Sequence, residues 1–91
     1  MSARMAARRA QAIIDAATLV KAPDWSESRR WHVTANGQVL VVIEPSYSGI
    51  TRNGWTWWLH DIGRTRNTPQ PTREQAAIAG LTAWQRWATR P

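Results

Sequence analysis

Asparagine followed by glycine at positions 36 and 37 constrains this chain more than any other feature. Both central positions of a type I′ turn need positive φ, which Asn and Gly tolerate best, and the twist of that turn suits two antiparallel strands. The flanks read as those strands, Arg30–Ala35 before the turn and Gln38–Glu44 after it. A two-residue turn then sets the pairing: Ala35 opposite Gln38, Val33 opposite Leu40 and Trp31 opposite Val42. Side chains alternate along a strand. On this register Trp31, Val33, Leu40 and Val42 share one face, while Arg30, His32, Thr34, Val39, Val41 and Ile43 share the other. Pro45 has no N–H for the ladder and is expected to end the second strand.

Trp55–Ile62 reads as a third strand, rich in the aromatic residues that strands favour. Trp55, Trp57 and Leu59 form its more apolar side and are expected to face the core; Thr56, Trp58, His60 and Ile62 form the other. Ser46–Gly54 is expected to be a loop carrying a second turn signal at Asn53-Gly54, and Gly63–Pro71 a polar loop broken by Pro69 and Pro71. The expected sheet thus covers 29–62.

A helix is expected on each side of it. Ala6, Ala10, Ile13, Ala17 and Val20 recur at helical spacing and predict a helix over 3–21, filling an N-terminal segment 1–22 that Pro23 closes. Asp24 and Glu27 then suit a short turn around Trp25. Thr72 and Gln75 make a capping box that opens a C-terminal helix over 72–89, with Glu74 at its positive end and Arg86 and Arg90 at its negative end. The whole chain, 1–91, is expected to be one α+β domain: a three-stranded antiparallel sheet with N-terminal and C-terminal helices, in the order αβββα.

The absence of cysteine excludes disulfides and thiolate metal sites, and suggests a reducing, cytoplasmic setting. No apolar run approaches the ~20 residues of a membrane span. Arg4–Val20 resembles a mitochondrial presequence in being Arg-rich and acid-poor, but the favoured reading is an ordinary surface helix; Asp15 interrupts any signal-peptide core. Twelve basic residues against six acidic ones give a net charge of +6, and every basic residue but Lys21 is Arg. Such an excess points to a polyanionic partner, DNA or RNA.

Two groups of residues are candidates for contacting it. On the second sheet face, Arg30, His32, Trp58 and His60 lie beside Val39, Val41 and Ile43, a surface too apolar to stay bare. Its cover is open at this point: the N-terminal helix, a second copy or protein partner, or nucleic acid stacked on Trp58 and the histidines. The other group is the loop arginines Arg29, Arg30, Arg52, Arg64, Arg66 and Arg73, either a set of phosphate clamps or solvated charge. Trp31, Trp57 and Trp84 are expected in the core; Trp25, Trp58 and Trp87 suit an interface. Catalysis has no visible machinery. His60 and Asp61 are strand neighbours and should face opposite ways, and His32, His60 and Glu44 are too few for zinc. No catalytic residue, metal or cofactor is expected.

From Trp31 to Trp87 the chain has three strands, a turn, and a helix opened by Thr-Arg-Glu-Gln-Ala at Thr72–Ala76. This outline resembles the three-stranded DNA-binding domains of phage-type integrase arms and plant ethylene-response factors. The resemblance implies that the sheet face opposite the helix enters the DNA major groove, with Arg30, His32, Trp58 and His60 on it. The chain departs from that pattern in its long Gly63–Pro71 loop, in Val39 and Val41, and in its N-terminal helix.

Overall fold

The computed structural model describes residues 5–91. Its elements run α1 (Ala7–Asp15), β1 (Thr18–Lys21), α2 (Trp25–Ser28), β2 (Trp31–Ala35), β3 (Gln38–Ser48), β4 (Thr51–Leu59) and α3 (Arg73–Thr89). The fold is α+β, with a sheet of four antiparallel strands in the order β1-β2-β3-β4.

The extra strand comes from the expected N-terminal helix. That helix stops at Asp15 instead of running to 21, and Thr18–Lys21 pairs with β2. Apolar spacing alone could not separate the two states here. Leu19 sits opposite Val33 and packs against the core, while β-branched Thr18 and Val20 suit a strand. Continued helix would have left the β2 edge unpaired. The part of the expected helix before residue 5 lies outside the described residues.

Asn36-Gly37 forms the expected turn, with φ of 53° and 78°, and Ala35 faces Gln38. The expected register holds through Thr34 opposite Val39 and is corrected by one residue beyond it. A bulge shifts the ladder so that Val33 faces Val41 and Trp31 faces Ile43. The bulge uses up one β3 residue without alternation, so consecutive Leu40 and Val41 are both buried in the core. Val41 and Ile43 therefore leave the expected outer face, and Val42 joins it opposite His32 and Trp58.

Pro45 does not end β3. It pairs with Trp55, whose N–H and C=O both point away from it, to Gln70. The missing N–H of Pro45 would point past the end of β2, where a donor has no strand partner. β3 and β4 therefore continue as a two-stranded arm, and β4 begins at Thr51 and closes at Leu59 rather than running from 55 to 62.

The Gly63–Pro71 loop seals the outer edge of β4. Gly63 N–H donates to the Leu59 carbonyl at 2.9 Å, and Gln70 exchanges two backbone bonds with Trp55 at 2.9 and 2.7 Å. Between them the Asn67 side chain takes the place of a strand residue: Trp57 N–H donates to its Oδ1 at 3.4 Å, and its Nδ2 donates to the Trp57 carbonyl. Covering an edge this way blocks strand-to-strand aggregation.

Both long helices lie on one side of the sheet. α3 is capped as expected, with Gln75 N–H donating to Thr72 Oγ1 at 3.1 Å. It packs Ala76, Ala77, Gly80, Trp84 and Ala88 against the sheet, and α1 lies beside it with Ala10 in the same core. Val33, Val41 and Ile43 are the largest fully buried side chains, each contributing about 1.5–3 kcal/mol by burial. A Cβ on Gly80 would fall inside the van der Waals shell of the Val41 side chain, so the α3–β3 contact is set by the absence of that atom. No described helix is long and apolar enough to cross a membrane.

Candidate nucleic-acid interface

Cross-strand pairs sort the sheet into rows. Val20, His32, Val42 and Trp58 form one row across all four strands on the side facing away from α1 and α3. Val42, in its middle, is only 5% exposed.

Arg30 and Arg64 reach this face from its two borders. Arg30 follows the αL residue Arg29 at the end of α2, where its N–H donates to Ser28 Oγ at 3.1 Å. Arg64 stands on the loop that seals β4. Their guanidinium carbons lie 5.6 and 4.4 Å from the centre of the Trp58 ring. Glu44 ties the two together: Arg30 Nε donates to its Oε2 at 3.3 Å, and Arg64 donates to Oε1 and, at 3.2 Å, to Oε2. Asp24 adds an ion pair to Arg30 at 3.7 Å. Two arginines thus meet two carboxylates, and the centre of the open face is close to neutral.

A second row, Lys21, Trp31, Ile43 and Trp57, lies on the helix-bearing side. Trp25 meets Trp31 edge-on, with ring centres 6.4 Å apart, and carries Lys21 Nζ at 3.9 Å and the Arg29 guanidinium at 4.2 Å. Arg73, placed by the first turn of α3, lies 4.2 Å over Trp31 and pairs with Glu74 at 3.1 Å. Farther along the arm Arg52 lies 4.0 Å over Trp55. Lys21, Arg29 and Arg52 have no ion pair among the described residues.

These contacts share one end of the molecule. Trp31 is the first residue of β2 and sits opposite the last residue of β1; past it only β3 and β4 continue. Lys21, Arg29, Arg30, Arg64 and Arg73 surround the base of that arm, and Arg52 lies on it. Of the residues expected to act together, Arg29, Arg30, Arg52, Trp58, Arg64 and Arg73 gather here, with His32 in the adjoining row. Arg66 is exposed on the Gly63–Pro71 loop. His60 does not join them. Its N–H bonds Leu40 near the Asn36-Gly37 turn, at the far end of the sheet.

His60 also corrects an expectation. Strand β4 ends at Leu59, so His60 and Asp61 no longer alternate, and Nδ1 lies 3.2 Å from Asp61 Oδ1. Both side chains are more than half exposed, at 54% and 62%. They border a groove of about 560 Å³ between α1, α3 and the turn, walled by Ile13, Trp84 and Ala88. The described residues hold no group of three or more His, Cys, Asp or Glu suited to a metal. His32 has its pKa pushed below 6.5 chiefly by burial, aided by His60 and Arg30 and opposed by Asp24.

Sequence reasoning missed Lys21 and the organising role of Glu44. Lys21 was hidden by the helical reading of its segment. Glu44 was visible as the acid nearest Pro45, but its partners depend on a loop that returns along β4. No family model, curated protein or solved structure matches the chain.

Proposed function

We propose that the protein is a nucleic-acid-binding module that contacts phosphates at the arm end of its sheet. The observation that carries this reading is the gathering of cations laid against indole rings around the base of one β-arm. A guanidinium held near a ring keeps N–H groups that can clamp a phosphate with two bonds. Packing on a ring also restrains a long side chain before binding, which lowers the ordering cost of association. Lys21, Arg29 and Arg52, free of carboxylates, make the first contacts. Arg30 and Arg64 serve a second shell of contacts as phosphate competes with Glu44. Unpaired bases stack on the half-buried indoles and on the guanidinium groups beside them. The net charge of +6 steers a polyanion toward the surface.

Protein docking through the sheet face is the weaker reading. Two of its expected anchors were Val39 and Val41, and Val41 is fully buried in the core. The test is fluorescence anisotropy with a labelled duplex and a labelled single strand over a series of salt concentrations. Binding that weakens with salt, with a log–log slope of about −3 or steeper on the duplex, is expected for three or more phosphate contacts. An affinity indifferent to salt contradicts the reading.

A further inference from the structure

The arm has a feature that phosphate binding does not require. Beyond the Trp31–Ile43 pair, β3 and β4 run on without a third strand from Glu44 to Ser48 and back from Thr51. The arm has five residues on the β3 side and six on the β4 side; Gln70 accompanies its base at Trp55, and the part past the Pro45–Trp55 pair projects about 10 Å. The molecule measures 45 × 23 × 19 Å. Ser48 pairs with Thr51, leaving Gly49-Ile50 as a two-residue turn. Gly49 has φ of +64° and Ile50 is not in the positive-φ region, the pattern of a type II′ turn with Gly first. That turn makes no demand for a large apolar side chain at its second position. Yet Ile50 stands there 100% exposed, with Tyr47 58% exposed one pair below.

A single exposed apolar side chain is common on protein surfaces and needs no explanation by itself; Ile50 points to a use outside the monomer through its place, at the tip of a hairpin beside Tyr47 and Arg52. The setting indicates which use. Past Glu44 at its base, the arm from Pro45 to Thr56 carries no acidic residue, and Arg52 supplies its charge. A bulge between Ser46 and Tyr47 twists the arm where Tyr47 meets Arg52 across the strands. The base of the arm is the ring of cations described above. A narrow tip with one apolar side chain, flanked by a planar ring and a guanidinium, fits the minor groove of DNA. There an apolar wedge enters between base pairs and kinks the duplex.

We propose that Ile50 is a DNA-bending wedge: the tip of the β3–β4 arm enters the minor groove of a bound duplex and parts one base step, with Arg52 on the adjacent phosphate. The inference rests on the nucleic-acid reading and adds its geometry. Flexible pyrimidine–purine steps are the cheapest to open and should be preferred.

The test uses the full chain and a duplex of about 30 base pairs with a central TA step and a dye at each end, at low salt. Two quantities are read from the same samples: affinity from anisotropy, and end-to-end distance from energy transfer. The wild type should bind and raise energy transfer. Ile50→Ser should bind within about threefold of wild type but leave the duplex straight, while Ile50→Met restores the bend. Because Ile50 touches nothing in the fold, the variants keep its stability, which a melting curve checks. Wild-type binding without bending, or full bending by Ile50→Ser, overturns the wedge and leaves the nucleic-acid reading standing. Absence of binding at low salt overturns the reading itself.

Discussion

The guanidinium of Arg64 lies 4.4 Å over the ring of Trp58, and it is held there by a side chain on the neighbouring strand, Glu44. The arrangement restrains a cation on the open face and at the same time occupies its donors. Glu44 has only 19% of its side chain exposed, so the pair is screened less than a surface ion pair.

Replacing Glu44 by Gln should therefore act in two directions. It replaces the carboxylate shared by Arg30 and Arg64 with a neutral amide that keeps one acceptor oxygen, and lowers stability by about 1–2 kcal/mol. It also frees both arginines for phosphate, so affinity for a duplex should rise severalfold and the salt slope should steepen by about 1. Urea denaturation and anisotropy measure the two effects separately. A loss of affinity in the folded variant would show that Glu44 positions the arginines more than it restrains them.

Gly80 tests the packing of α3 on the sheet. In an exposed helix, Gly→Ala gains about 1 kcal/mol in propensity. Here the added methyl would press into Val41, a fully buried residue, and one of the two must shift. Overpacking of this kind costs about 1–3 kcal/mol. Gly80→Ala should lower Tm by several degrees, whereas Gly80→Ala combined with Val41→Ala should recover part of the loss.

His32 should make stability depend on pH in one direction. Burial holds its folded pKa below the ordinary 6.5, so the unfolded chain takes up the proton first as pH falls. The contribution of His32 is fully present above pH 6.5 and declines as pH falls from there toward the folded pKa. Melting curves at pH 7.5 and 5.5 should show the lower Tm at the lower pH. His32→Gln, which does not titrate, should reduce the difference.

Local chemistry made several elements legible in the sequence. The Asn36-Gly37 turn, the Thr72 cap and the inward placement of Trp55, Trp57 and Leu59 each follow from a few adjacent residues, and each is present. What could not be read locally depends on partners distant in sequence. The β1 strand exists because β2 offers an edge, and Pro45 stays in β3 because Trp55 bonds to Gln70 instead. A single bulge moved Val41, Ile43 and Val42 between faces, which changed the composition of the candidate surface without changing its place in the fold. The arginines were legible as a group, but their carboxylate partners were not. Those partners are set by the return of the Gly63–Pro71 loop.

Location of charge distinguishes a built interface from a merely basic protein. Arg29→Ala with Arg52→Ala removes two cations from the arm end, and Arg86→Ala with Arg90→Ala removes two from the last turn and C-cap of α3. Each double variant loses the same net charge. Anisotropy titrations of both against one duplex, at fixed salt, compare the two ends directly. The account predicts a loss of about tenfold or more for the arm-end variant and less than about threefold for the other. Equal losses, or a greater loss at the α3 C-terminus, would contradict it.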